Sequence, residues 1–253
     1  MVKQMTDRLE LMTKALELRK YLGLDDNAPI DIFRVVEKID KLTIVFYSMG
    51  KRISGICNKG KNNTCVIAIN SDMTLGRERF TLAHELYHKY YGKKDNYYCA
   101  IDNKDLRDEE ADANIFASFF LMPEFGLHMQ VKELIRDNGS IGLNDVIYLC
   151  SYYGVSYLSM VNRLFDSSYI DELRFNALSS MKGIIKQAKL CGYNVDLFLS
   201  QDGNKYKTYG YYIYLVHQAI EKELISNGKY EELLLDAFRS DIVYGDMEDG
   251  FID

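Results

Sequence analysis

The sequence has little of what a secreted, membrane-spanning or DNA-coating protein needs. Its 253 residues include no tryptophan, only two prolines and five cysteines. Its apolar runs are far shorter than the roughly 20 residues that cross a bilayer, and its charged start contains no apolar signal core. The net charge of −6 argues against a basic face that would coat DNA.

The cysteines are odd in number, widely scattered and without a C-x-x-C pair. They are Cys57, Cys65, Cys99, Cys150 and Cys191. Such a set predicts reduced and mostly buried thiols in a cytoplasmic protein.

Hydrophobic residues make up 47% of the chain, which is enough for a real core. Periodicity and turn residues predict helix at 7–21 and 30–39, strand at 42–47, 53–57 and 64–69, and a polar loop at 93–107. Further helices are predicted at 77–91, 108–121, 125–136, 143–152, 156–165, 211–224 and 230–238. The order predicts an α+β fold with a small antiparallel sheet.

A division into two parts is expected near residue 168. Residues 1–168 would form the main domain, with a helix-turn-helix-like end at 143–165. Residues 169–253 would form a helical accessory region, and no motif there points to a function.

The strongest motif is His84-Glu85-Leu86-Tyr87-His88, which reads H-E-x-x-H in a predicted helix. Residues four apart lie one turn apart on one helix face, so both imidazoles can bind one Zn²⁺. Glu85 lies about 100° further round the helix. There it can take a proton from a zinc-activated water without binding the metal itself.

A catalytic zinc site needs a third protein ligand and an open fourth position. The next predicted helix begins with several acids, and Glu110 is the predicted ligand because it shares a face with the small residues Ala113 and Asn114. Glu109 and Asp112 fit better an acidic first turn that complements the helix dipole.

Linked motifs occur at 79–88, which reads R-F-T-L-A-H-E-L-Y-H, and at 110–117, which reads E-A-D-A-N-I-F-A, with L-M-P at 121–123. These stretches resemble the ImmA/IrrE family of zinc metallopeptidases, whose pattern is F-T-x-A-H-E-x-x-H, then E-x-x-A-N-x-F-A and L-M-P. Further matches lie at 67–70, 153–156 and 163–164, so the resemblance covers roughly residues 10–165.

The resemblance implies a zincin-like fold with His84, His88 and Glu110 as Zn²⁺ ligands and Glu85 as the general base. Family members cut helix-turn-helix repressors of mobile elements or of a DNA-damage response. The resemblance therefore implies a cytoplasmic endopeptidase that relieves repression. Its partner would be a protein substrate, without direct contact to nucleic acid or membrane, and its oligomeric state stays open.

Some residues depart from the family pattern or have open roles. Tyr87 replaces the usual glycine and can either pack or narrow the cleft, while Ser118 and Phe119 replace a small residue and an acid. The lone histidines His128 and His217 fit ordinary structural roles better than metal binding or oxyanion stabilisation. Cys99 lies between the two motif helices, where a thiolate in the open zinc position would hold an enzyme latent.

Two other functions compete with peptidase activity. The chain can be a non-catalytic anti-repressor that binds a repressor through a metal-stabilised fold. A purely structural zinc domain fits less well, because such sites close with four protein ligands and the sequence shows no evident fourth.

Overall fold

A computed structural model describes residues 2–100, 108–200 and 205–245, which fold as an α+β protein. The strands β1 to β5 are Leu42–Tyr47, Ile53–Lys59, Cys65–Asn70, Asn96–Ala100 and Lys207–Gly210. Within these described parts the helices α1 to α12 are Val2–Tyr21, Ile32–Glu37, Leu75–Tyr91, Asp108–Leu121, Glu124–Asn138, Leu143–Tyr153, Tyr157–Asp166, Glu172–Ser179, Ile184–Leu190, Tyr211–Glu221, Asn227–Asp236 and Ser240–Tyr244.

The five strands form one mixed sheet in the order β4-β2-β3-β1-β5. β1 runs parallel to β3, while β2 pairs antiparallel with β3 and with β4, and β5 pairs antiparallel with β1. The predicted α+β class is confirmed, but the expectation of an antiparallel sheet is wrong at the β1–β3 pair. Strand patterning reports which residues are extended and buried, and it does not report which strand becomes the neighbour.

Two strands lie where the sequence predicts none. β4 occupies part of the predicted loop at 93–107, of which residues 101–107 lie outside the described residues. β5 adds a strand to the C-terminal region at 169–253, which the sequence predicts to be helical. Both strands are short and lie at the edges of the sheet, so pairing with β2 and β1 rather than local propensity defines them.

Aromatic packing joins α3 to α4. Phe116 of α4 is fully buried, and its ring centroid lies 5.5 Å from that of Tyr87 and 5.6 Å from that of Tyr91. Phe120, in the same helix, stacks on Phe116 with a centroid separation of 5.6 Å. Tyr87 therefore packs into the α3–α4 interface, which answers the question of whether it packs or narrows the cleft.

The C-terminal part contributes to two clusters of buried residues. Ile170, Leu178 and Ala188 join the main core that surrounds the sheet. A smaller cluster forms among helices α10 and α11, with Ile213, Val216, Leu234 and Ala237 as its buried members. The domain boundary at residue 168 stays a prediction.

All five cysteines are free thiols, of which four are buried and Cys191 is exposed. Within residues 2–100, 108–200 and 205–245, no helix combines the length and apolarity needed to cross a membrane.

We expect Phe116→Ala to lower the free energy of unfolding by about 3–5 kcal/mol, because it removes a fully buried ring from the α3–α4 interface. Urea denaturation followed by circular dichroism measures this change. Phe125→Ala is the matched control, since that side chain is 62% exposed, and its effect should stay within about 0.5 kcal/mol. Equal effects of the two substitutions would contradict the importance of this interface.

Candidate metal centre

The first two predicted ligands project from one face of α3. The helix begins after Thr74, whose backbone is extended, and ends before Gly92. His84 and His88 are both buried, and their Nε2 atoms lie 3.1 Å apart. The four-residue spacing thus places two imidazole nitrogens at one point, as the sequence predicts.

Glu110 of α4 reaches the same point from the neighbouring helix. Its Oε2 lies 3.3 Å from His84 Nε2, and its Oε1 lies 3.3 Å from His88 Nε2. Each carboxylate oxygen therefore faces a different imidazole. The structure brings together the three residues that the sequence predicts as ligands.

The charges of these three groups depend on one another. Burial opposes ionisation of Glu110, but hydrogen bonds with His84 and His88 outweigh burial and hold the pKa of this carboxyl below its ordinary value. Burial also disfavours charge on His84, yet its contacts with Glu110, Glu85 and Asn114 raise its pKa. Burial lowers the pKa of His88. A carboxylate between two buried imidazoles makes the pocket suited to a cation.

Asn114 orients the first imidazole. Its Oδ1 lies 2.9 Å from His84 Nδ1 and can accept a hydrogen bond from that nitrogen. A proton on Nδ1 leaves the lone pair on Nε2, which faces His88 and Glu110. Asn114 lies four residues after Glu110, so one helix face supplies both a ligand and the partner of another ligand. The sequence shows this spacing but not the contact.

Cys99 brings a fourth donor atom to the centre. Its Sγ lies 3.2 Å from His84 Nε2, and its side chain is buried. One ligand atom from each of His84, His88, Cys99 and Glu110 lies within 4.8 Å of the others. Burial raises the pKa of the thiol. The sequence shows no evident fourth ligand. The structure corrects this expectation, because β4 brings Cys99 into the site.

Glu85 lies beside the centre and is fully buried. Neither of its carboxylate oxygens has a hydrogen-bond partner in normal geometry among the described residues. Burial raises the pKa of Glu85 to about 7, against smaller opposing effects of His84 and the Cys99 thiol. Gly55 of β2 makes this position possible, because a Cβ there would lie 2.4 Å from Glu85 Oε1 and 2.7 Å from Thr81 Cγ2.

The donor set fits a single tetrahedral metal ion. Two nitrogens bound at about 2.0–2.1 Å to a tetrahedral zinc lie about 3.3–3.4 Å apart. The observed separations of 3.1 Å between the two histidine nitrogens and 3.3 Å from each to a Glu110 oxygen are close to that value. Imidazole, carboxylate and thiolate are also the ligand types that bind Zn²⁺ in proteins.

An open cleft of about 890 Å³ leads to His84. Its walls come mainly from α3, α4, α7 and the start of α9. The lining includes Thr81, Asn114, Ser118 and Tyr157 together with His84. Space of this size beside the centre can admit a segment of polypeptide.

The other acid and histidine candidates lie away from the metal position. Glu109 Oε1 accepts hydrogen bonds from Tyr97 Oη at 2.9 Å and from the Lys93 amide at 3.0 Å, so it holds β4 rather than a metal. His128 Nδ1 lies 3.1 Å from Tyr169 Oη, and His217 Nδ1 lies 2.9 Å from Tyr230 Oη.

Arg163, the one basic residue of the helix-turn-helix-like segment, is 1% exposed. It donates to the Met122 carbonyl and to Glu124, and its guanidinium lies 4.2 Å from the centroid of the Phe119 ring. Phe119, one of the departures from the family pattern, therefore packs under Arg163. Ser118, the other, lines the cleft.

Two histidines and a glutamate from packed helices, beside a buried glutamate, make the kind of metal centre found in metallopeptidases. Residues 43–165 match the profile of the IrrE N-terminal-like domain family, Peptidase M78. The predicted resemblance is thus confirmed over that segment, and the family indicates a zinc metallopeptidase. A search of curated proteins found no match to this chain.

We expect Asn114→Ala to weaken zinc binding by about 10–100-fold, the usual cost of losing a group that orients a ligating histidine. Competition with a chromophoric chelator measures the affinity. Asn162→Ala is the control, because Asn162 lines the same cleft and is exposed. Unchanged affinity in Asn114→Ala would show that the contact with His84 does not hold the ligand.

Proposed function

We propose that this protein is a zinc-dependent endopeptidase of the cytoplasm that cleaves a helix-turn-helix transcriptional repressor. The observation that carries the proposal is the position of Glu110, with one carboxylate oxygen 3.3 Å from each imidazole of the H-E-x-x-H helix. His84, His88 and Glu110 would hold the ion, with Glu85 beside them and the cleft in front.

Zinc held there would supply Lewis acidity that activates a water and polarises the scissile carbonyl. Glu85 takes the proton of the attacking water and passes it to the leaving amine nitrogen. Burial keeps this carboxyl group out of bulk solvent beside the metal position. Asn114 keeps the His84 ring in the orientation that directs Nε2 to the ion.

The choice of a repressor as substrate has separate support. The family resemblance implies substrates of this kind. The start of α7, within the helix-turn-helix-like segment, contributes Ser156, Tyr157 and Leu158 to the cleft wall, so a bound protein would contact that segment. The net charge of −6 also favours a protein partner over DNA.

The decisive variant is Glu85→Gln, which keeps the size of the side chain and removes its ability to accept the proton. We expect the rate of repressor cleavage to fall by about 10²–10⁴-fold, with zinc content unchanged. Co-expression with the helix-turn-helix repressor encoded nearest to this protein, followed by mass spectrometry of the fragments, measures cleavage.

Glu78→Gln is the matched control. Glu78 lies on the same helix, is 3% exposed and has a pKa raised to about 7 by burial, yet it is not among the clustered metal-binding groups. The Glu78→Gln variant should cleave the repressor at the wild-type rate. Cleavage that persists in Glu85→Gln would exclude the proposed mechanism.

A non-catalytic anti-repressor is the second candidate, and the position of Cys99 favours it, because four protein ligands are typical of structural zinc sites. In that case repression is relieved equally by the wild type and by Glu85→Gln, without fragments of the repressor. A reporter gene under the repressor's control separates the two functions.

A further inference from the structure

The strand β4 places two consecutive inward side chains against the metal centre. Successive residues of a strand point to opposite faces, and Tyr97 and Cys99 are buried while Tyr98 is 67% exposed. The Tyr97 ring stacks on His88 with centroids 4.0 Å apart and an angle of 18° between the planes. The Cys99 Sγ lies 3.2 Å from His84 Nε2. One strand face therefore contacts both histidines.

The position of Cys99 is fixed from several sides. In the β2–β4 pair Cys99 lies opposite Gly55, the residue that gives Glu85 its space. Ser54 Oγ donates a hydrogen bond of 3.0 Å to the Cys99 carbonyl. Tyr97 Oη donates to Glu109 Oε1 at 2.9 Å, which ties β4 to the start of α4. The thiol thus belongs to an ordered strand with its own anchors.

The Cys99 side chain also lies beside Glu85, the proposed general base. Both of its carboxylate oxygens are buried, and neither makes a hydrogen bond of normal geometry with a described residue. A buried carboxylate without hydrogen bonds is costly, and a peptidase would place the attacking water against it. Cys99 and Gly55, which are paired between β4 and β2, both lie beside this carboxyl group.

We propose that Cys99 is the fourth protein ligand of the metal, and that β4 thereby keeps the resting protein latent. This inference rests on the proposed peptidase function. Coordination breaks the S–H bond, forms a metal–sulfur bond and releases the thiol proton to solvent. Four protein ligands leave no position for a water. Opening that position requires Sγ to leave the metal.

Zinc X-ray absorption of the full chain loaded with one equivalent of Zn²⁺ tests the ligand. We expect one sulfur at about 2.3 Å beside nitrogen and oxygen donors at about 2.0–2.2 Å. The sulfur should disappear in Cys99→Ala and remain in Cys150→Ala, a buried cysteine of the core truncated in the same way. A wild-type spectrum without sulfur, or sulfur that persists in Cys99→Ala, overturns the assignment. Cys99→Ser, which keeps the side-chain size, repeats the test if the alanine variant does not fold.

The latent state can be tested separately and without a substrate, by the access of a small probe to the metal. Acetohydroxamate, a small metal-binding probe, is titrated into the cobalt-substituted proteins while the visible spectrum is followed. We expect the spectrum of Cys99→Ala to change and those of the wild type and Cys150→Ala to stay constant. Binding of the probe to the wild type and Cys99→Ala with equal affinity overturns latency.

Failure of this inference differs from failure of the proposed function. If sulfur is absent while the wild type cleaves the repressor and Glu85→Gln does not, the ligand assignment fails and the function stands. If the sulfur and probe results are as expected but neither the wild type nor Cys99→Ala cleaves, the function fails and the ligand assignment stands. If the ligand assignment and the proposed function are both correct, Cys99→Ala should cleave the repressor at least about 10-fold faster than the wild type.

Discussion

The packing of α4 against α3 is the constraint on which the centre depends. The two histidines of α3 share a face through helix geometry alone, but the carboxylate of Glu110 reaches them only if the second helix lies close by and in the correct register. Phe116 of α4 packs against Tyr87 and Tyr91 of α3 and so helps to hold the two helices together. The aromatic interface and the metal centre lie on the same pair of helices, so the stability of one and the geometry of the other are linked.

Burial determines the chemistry of the groups around that interface. Glu85 and Glu110 are both carboxylates near the same two imidazoles, yet their pKa values move in opposite directions. Glu110 forms hydrogen bonds with the histidines and stays ionised, whereas Glu85 is buried without partners and its pKa rises to about 7. One carboxylate is thereby suited to hold a cation and the other to exchange a proton. Because Gly55 has no side chain, the carboxyl group of Glu85 has room beside β2.

The sequence predicts the residues that follow from local periodicity and misses those that depend on distant pairing. The H-E-x-x-H spacing and the face of α4 predict His84, His88 and Glu110, because both are properties of single helices. Cys99 lies in a segment with no regular pattern beyond the alternation of buried and exposed residues, and it becomes a strand only by pairing with β2. The parallel β1–β3 pair escapes prediction for the same reason.

The last strand of the sheet has a consequence for how the chain can be divided. β5 comes from the C-terminal region, yet it pairs with β1 over residues 207–210 and closes that edge of the sheet. A protein shortened at residue 168 would present the backbone amides and carbonyls of β1 to solvent, and such an open edge invites self-association. The segment that matches the family thus has its outer strand supplied by residues beyond its own limits, from a region that carries none of its motifs.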